Sequence, residues 1–185
     1  MKINPEQRPE YKIEESIINN YQSLGYKNIH PPIRRVLLYR HAGVVDLALL
    51  PKRHKHKLVL VEAKHFANVE AGEKVIGQLL KYYSFALRLG DNGLRLLREF
   101  AETKTEIARS VKKTTPQQLC GGIYRDLAMH QMELGRKIKP QEIKLFVAVD
   151  GEVEKSLHEI VSTLRTHHKL NIGIIRVRKN TIRFM

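Results

Sequence analysis

Two short apolar runs dominate the pattern of this chain: Val44-Val45-Asp46-Leu47-Ala48-Leu49-Leu50 and Leu58-Val59-Leu60-Val61-Glu62-Ala63-Lys64. Between them lies the polar stretch Pro51-Lys52-Arg53-His54-Lys55-His56-Lys57, so the pair predicts an antiparallel hairpin. Alternation along a strand puts Val45, Leu47, Leu49, Val59, Val61 and Ala63 on one side, and Val44, Ala48, Leu50, Leu58 and Leu60 on the other. Both faces are apolar, the pattern of a sheet covered by helices on both sides. If the hairpin pairs symmetrically about His54, Leu50 lies opposite Leu58 and Asp46 opposite Glu62, with Lys64 on the same face.

Before the hairpin, Ile13, Ile17, Tyr21 and Leu24 recur at helical spacing ahead of Gly25, predicting a helix over about residues 10–24. Pro31-Pro32 resets the chain, and Ile33 to Arg40 reads as a strand. A long helix follows from about Asn68, its N-cap, to Leu89, with Val75, Ile76, Leu79, Leu80 and Tyr83 on its apolar face and Asp91-Asn92-Gly93 as its end. Residues 94–134 are helical in period, with a break at Thr114-Thr115-Pro116. Lys144 to Val149 is a buried-strand run, Val153 to Leu170 a helix, and Ile172 to Val177 and Thr181 to Phe184 are two last strands. This alternation predicts an α/β fold in one domain spanning residues 1–185, with a helical elaboration at about 94–134.

Composition adds a polyanion partner. The 185 residues hold 33 Lys and Arg against 19 Asp and Glu, a formal net charge of +14, which suits nucleic acid or an anionic membrane surface. No stretch reaches the ~18 apolar residues of a membrane span, and Met1 to Pro9 lack the apolar core of a signal peptide. Cys120, the lone cysteine, offers neither an internal disulfide nor a Cys-based zinc site. The expectation is a cytoplasmic protein that does not engage a membrane.

Against this background Asp46, Glu62 and Lys64 need a reason. A Glu-x-Lys triplet on an exposed strand is an ordinary surface ion pair, but charged residues in a doubly covered sheet are rarely decorative. Carboxylates directly across a ladder repel, and burying them unpaired costs roughly several kcal/mol per ion, so a cation between them is the natural resolution. Their hard oxygens suit Mg²⁺ or Mn²⁺, which would polarise a phosphodiester and acidify a water, while Lys64 orients that water or stabilises developing charge.

The order helix, three strands, helix, strand, with Asp46 and then Glu62-Ala63-Lys64 on the second and third strands, resembles the PD-(D/E)XK nuclease superfamily, the restriction-endonuclease-like fold. Gln78 and Tyr82 fit the Gln-x-x-x-Tyr motif that members related to the RecB nuclease domain carry on the next helix. The likeness covers residues 10–89, with Lys144 to Val149 as the following strand. Val45 stands where the motif has proline, and residues 94–134 lie beyond the minimal core. The resemblance implies an αβββαβ core with a central mixed sheet flanked by helices. It also implies a Mg²⁺-dependent deoxyribonuclease, endonuclease or exonuclease, acting on DNA. In that reading Asp46, Glu62 and the backbone carbonyl of Ala63 hold the metal, and Gln78 and Tyr82 hold the acidic cluster or a DNA phosphate. The family often adds an acid from the first helix; Glu14 falls near the apolar face there and Glu15 points away, so Glu14 is the candidate for catalysis and for the metal. Cutting both strands of a duplex needs two sites, which a homodimer would supply. A non-catalytic nucleic-acid-binding protein on the same fold is the alternative, and a basic RNA-associated structural protein a third.

The remaining features weigh less. Lys52 to Lys57 reads as a solvated turn, and His54, His56, His167 and His168 lie at no recognised zinc spacing. His65 is expected to face away from Lys64. Lys112-Lys113 and Arg176-Val177-Arg178-Lys179 suit the DNA backbone.

Overall fold

The apolar runs assemble into a six-stranded mixed sheet whose spatial order follows the chain, β1 to β6. The computed structural model describes residues 9–38, 43–65, 71–110, 134–179 and 181–185. Strands β1 (Ile33–Leu37), β2 (Val44–Leu49) and β3 (Leu58–Lys64) form an antiparallel meander. Leu47 lies opposite Val61, Ala48 opposite Leu60 and Leu49 opposite Val59, which is the register symmetric about His54. β4 (Ile143–Val149) then joins β3 in parallel, β5 (Ile172–Arg178) joins β4 in parallel, and β6 (Thr181–Phe184) closes the sheet antiparallel. Parallel neighbours need crossovers, and those crossovers supply the helices that cover one face of the sheet.

One face is covered by α1 (Pro9–Asn19), whose Ile13 and Ile17 pack with Leu47, Leu49, Val59, Val61 and Ala63. On the other face lie α2 (Ala71–Ala86), α3 (Asp91–Ser110) and α4 (Lys155–Thr166). Val75, Leu79, Leu94, Leu97, Leu157 and Val161 from these helices share a core with Ala48, Leu50, Leu58 and Leu60. No helix among the described residues is long and apolar enough to cross a membrane.

The elements differ from the sequence reading in several places. The first helix stops at Asn19; the Asn20 side chain donates from Nδ2 to the Ser16 carbonyl at 2.8 Å, a short 3-10 turn covers Tyr21–Leu24, and Gly25 closes it at φ +87°. Asp91-Asn92-Gly93 begins α3 rather than ending α2, since an acid in the first turn favours the helix dipole. The reversal comes earlier, where Asp91 N–H donates to the Arg136 carbonyl at 3.0 Å and Ile138 N–H to that of Leu89 at 3.1 Å. Asn68 and the break at Thr114-Thr115-Pro116 lie outside the described residues.

A further difference bears on function. The β1–β2 ladder joins Arg34 to Leu47 and Val36 to Val45 but skips the pair between them, Arg35 and Asp46. Arg35 has φ +53°, a left-handed conformation that a bulky L-residue seldom adopts. Both strands change phase there: Ile33 and Val36 fall in one core, as do Val45 and Ala48, although neither pair is an even number of residues apart. Strict alternation had put Val45 with Leu47 and Leu49; the roll at Arg35 moves it to the α2 layer.

Candidate active site

Asp46 sits at the interruption, where β2 rolls, and its Oδ2 accepts the backbone N–H of Ala63 at 3.0 Å. The carboxylate thus occupies the ladder position that a strand carbonyl would otherwise fill, between β2 and β3. Its place opposite Glu62 continues the observed register by one pair. Glu62 alternates with Val61 and Ala63, which pack on the α1 side, so it shares the opposite face with Leu58 and Leu60.

The Glu62 side chain is almost wholly buried. Its Oε1 accepts a hydrogen bond from Lys64 Nζ at 2.8 Å, whereas its Oε2 is buried with no hydrogen-bond partner among the described residues. Burial, and then the charge of Asp46, push the Glu62 carboxyl up to about 7 against the opposing pull of Lys64. The Lys64 contact does not offset these two effects.

Helix α2 secures the strand from which Asp46 projects. The Tyr82 hydroxyl donates to the Val44 carbonyl at 2.9 Å, two residues before Asp46. Burial, and next the charges of Glu62 and Asp46, hold the Tyr82 phenol well above its ordinary range. Gln78, one turn earlier, is half-buried, and its Oε1 has no hydrogen bond among the described residues. The two motif residues thus share the helix that covers the Glu62 face.

Glu14 is buried and Glu15 exposed, as helical phase predicts. Glu14 belongs to the α1 layer, where Arg34 Nη1 lies 3.7 Å from its Oε2; the same guanidinium stacks 4.0 Å above the Tyr11 ring. Arg34 pairs with Leu47 of the α1-side core, so Glu14 and Glu62 approach from opposite layers of the sheet.

Around this centre, His65 Nδ1 lies 2.6 Å from Asp150 Oδ2, tying the end of β3 to the end of β4. Glu152 pairs with both Arg176 and Arg178, and Arg176 Nε donates to the Gly151 carbonyl at 2.8 Å, so part of that basic cluster fixes the loop after β4. The hairpin connection is exposed from Lys52 to Lys55, as expected of a solvated turn, and departs from that expectation at one residue. His56 is buried, with Nδ1 3.0 Å from the Tyr26 hydroxyl and Nε2 2.8 Å from the Asn171 amide. Burial, then the neighbouring His54, Lys55 and Lys144, hold its pKa down to about 4.

Among the described residues no group of three or more His, Cys, Asp or Glu side chains is gathered as for a metal. The donor set that exists is two carboxylates, one with a buried oxygen left over. Mg²⁺ is commonly held by one or two carboxylates with waters and substrate phosphate completing its shell, so this set fits a hard divalent ion.

Arg35 is the residue that sequence reading missed. In the primary structure it is one of a pair of arginines in an apolar strand, and nothing marks its left-handed backbone. No family model, curated protein or solved structure matches the chain.

Proposed function

We propose that this chain is a metal-dependent DNA nuclease of the PD-(D/E)XK type, with its α/β sheet built as a restriction-endonuclease-like core. The observation that carries the reading is Glu62: a buried carboxyl with one free oxygen, its proton affinity raised by burial and by Asp46, and Lys64 on its other oxygen. A buried ion pair that served structure alone would have its remaining lone pairs hydrogen-bonded.

Asp46, Glu62 and the Ala63 carbonyl would hold Mg²⁺ or Mn²⁺. When bound, the ion supplies Lewis acidity at the scissile phosphate and a more acidic water. The chain's own residues do the rest. Asp46 is held in the sheet by the Ala63 N–H, and Tyr82 fixes the backbone before it, so the carboxylate is positioned before substrate arrives. Lys64 Nζ is held on Glu62 Oε1, where its ammonium would orient water or stabilise charge on the phosphate. Gln78 offers an amide beside the same face. Glu14 contributes from the α1 layer through Arg34, anchoring β1 one residue before its roll.

The net charge of +14 also suits a protein that binds nucleic acid without cutting it. Plasmid, linear duplex, single-stranded and branched DNA, each incubated with Mg²⁺ or with EDTA, separate the two. Nicking or degradation of one substrate with Mg²⁺ alone supports the nuclease; retention of every substrate intact in a bound complex supports the binder.

A further inference from the structure

The break in the β1–β2 ladder gives Arg35 a place that its sequence position does not suggest. It falls directly across from Asp46, between the bonded pairs Arg34–Leu47 and Val36–Val45. Its backbone is left-handed at φ +53°, a conformation disfavoured for any residue with a Cβ. Strain of this kind persists where surrounding structure enforces it, and it clusters at sites where a side chain must be aimed. At the roll Asp46 accepts the Ala63 N–H, and Arg35 follows Arg34, which turns to Glu14 in the α1 layer, and precedes Val36, which enters the α2-side core.

Arg35 lies within electrostatic reach of Tyr82 on α2. Its charge is felt at the Tyr82 phenol, where it opposes the effects of Glu62 and Asp46. The side chain is half-buried and makes no hydrogen bond or ion pair with another described residue. A guanidinium on the residue across from Asp46 has five donors in a planar fork suited to a phosphate.

We infer that Arg35 is a phosphate-contacting residue of this site, placed by the one-pair roll of β1 and β2 to grip the nucleic-acid backbone beside Asp46. The inference rests on the nuclease reading for its substrate class but makes a separate claim, because a phosphate contact is measurable without catalysis.

The test is DNA affinity in EDTA across a range of salt, using a short duplex oligonucleotide, for wild type, Arg35→Gly, Arg35→Lys and Lys155→Gln. Glycine adopts the left-handed backbone without steric cost, so Arg35→Gly removes the guanidinium while relieving the strain. Its thermal midpoint should equal or exceed that of wild type. Its slope of log K against log [salt] should be shallower by about one, the loss expected for one phosphate contact. Arg35→Lys should keep the slope but bind less tightly, having lost the fork. Lys155→Gln, a change at a residue 92% exposed on α4, should match wild type. A wild-type slope and affinity in Arg35→Gly would overturn the inference, whether or not the protein cuts DNA. A shallower slope in a protein that fails to cut would leave the contact standing and remove the nuclease reading alone.

Discussion

The carboxylate of Asp46 accepts the main-chain N–H of Ala63 at 3.0 Å, so an acid proposed to hold metal also completes the β2–β3 ladder. These two duties can be separated by substitution. Asparagine keeps an acceptor for Ala63 and removes the repulsion with Glu62, whereas alanine removes both. In EDTA near neutral pH, Asp46→Asn should melt above wild type. Asp46→Ala should melt below Asp46→Asn by about 1–3 kcal/mol of stability, the usual cost of an orphaned buried donor. Saturating Mg²⁺ or Mn²⁺ should raise the wild-type midpoint by mass action and move both variants much less. Equal midpoints for the two variants in EDTA would mean that the Ala63 bond does not matter.

A second prediction follows from Glu62, whose carboxyl is raised to about 7. In the unfolded chain that group titrates near its ordinary value, ~4.5, so between the two values the folded state binds more protons. The resulting stability is present in full below pH ~4.5 and is lost as pH rises through about 7. Melts in EDTA across this window should show Glu62→Gln lacking that loss. Parallel profiles for the two proteins would place the carboxyl at an ordinary pKa.

His56 acts in the opposite sense. Its pKa is held down to about 4, so the unfolded chain binds the extra proton below ~6.5. Stability from His56 is present above pH ~6.5 and is lost as pH falls through about 4. The two windows overlap, so the cleaner measurement uses Glu62→Gln as background. There, adding Asn171→Ala, which removes the amide 2.8 Å from His56 Nε2, should raise the pKa and flatten the acid limb of the melting profile. An unchanged acid limb would show that this amide does not set the His56 pKa.

Much of this site was legible in the chain because the signals are local. The polar connection centred on His54 sets the hairpin register, and with it the place of Asp46 opposite Glu62. Helical phase separates buried Glu14 from exposed Glu15, and puts Gln78 and Tyr82 on one stripe of α2. What stayed hidden depends on distant partners or on backbone shape. His56 is buried because Tyr26 and Asn171 close on it, 30 and 115 residues away. Arg35 bends the strand with no glycine to announce it, and Val45 changes sides as a result. Asp91-Asn92-Gly93 is a helix start whose composition equally suits a helix end; what decides it is the pairing of Gly90 with Lys137, which sequence spacing does not predict.

The glutamates of α1 give a fourth prediction. Glu14 pairs with Arg34 beside the roll, while Glu15 faces solvent. Glu14→Gln should therefore lower Mg²⁺-dependent cleavage clearly and Glu15→Gln hardly at all, measured at equal folded protein. Matching small effects would make Glu14 an ordinary buried ion-pair residue.

The most direct measurement is DNA cleavage by wild type, Asp46→Ala, Glu62→Ala and Lys64→Ala in Mg²⁺, alongside DNA affinity in EDTA. Phosphate contacts elsewhere supply most of the affinity, so each variant should bind DNA as well as wild type or better. Each should also lose nearly all cleavage, by about 100-fold or more if the group acts on developing charge. Cleavage at the wild-type rate by the Glu62 variant, or by wild type in EDTA, would contradict a metal-dependent site at Asp46 and Glu62.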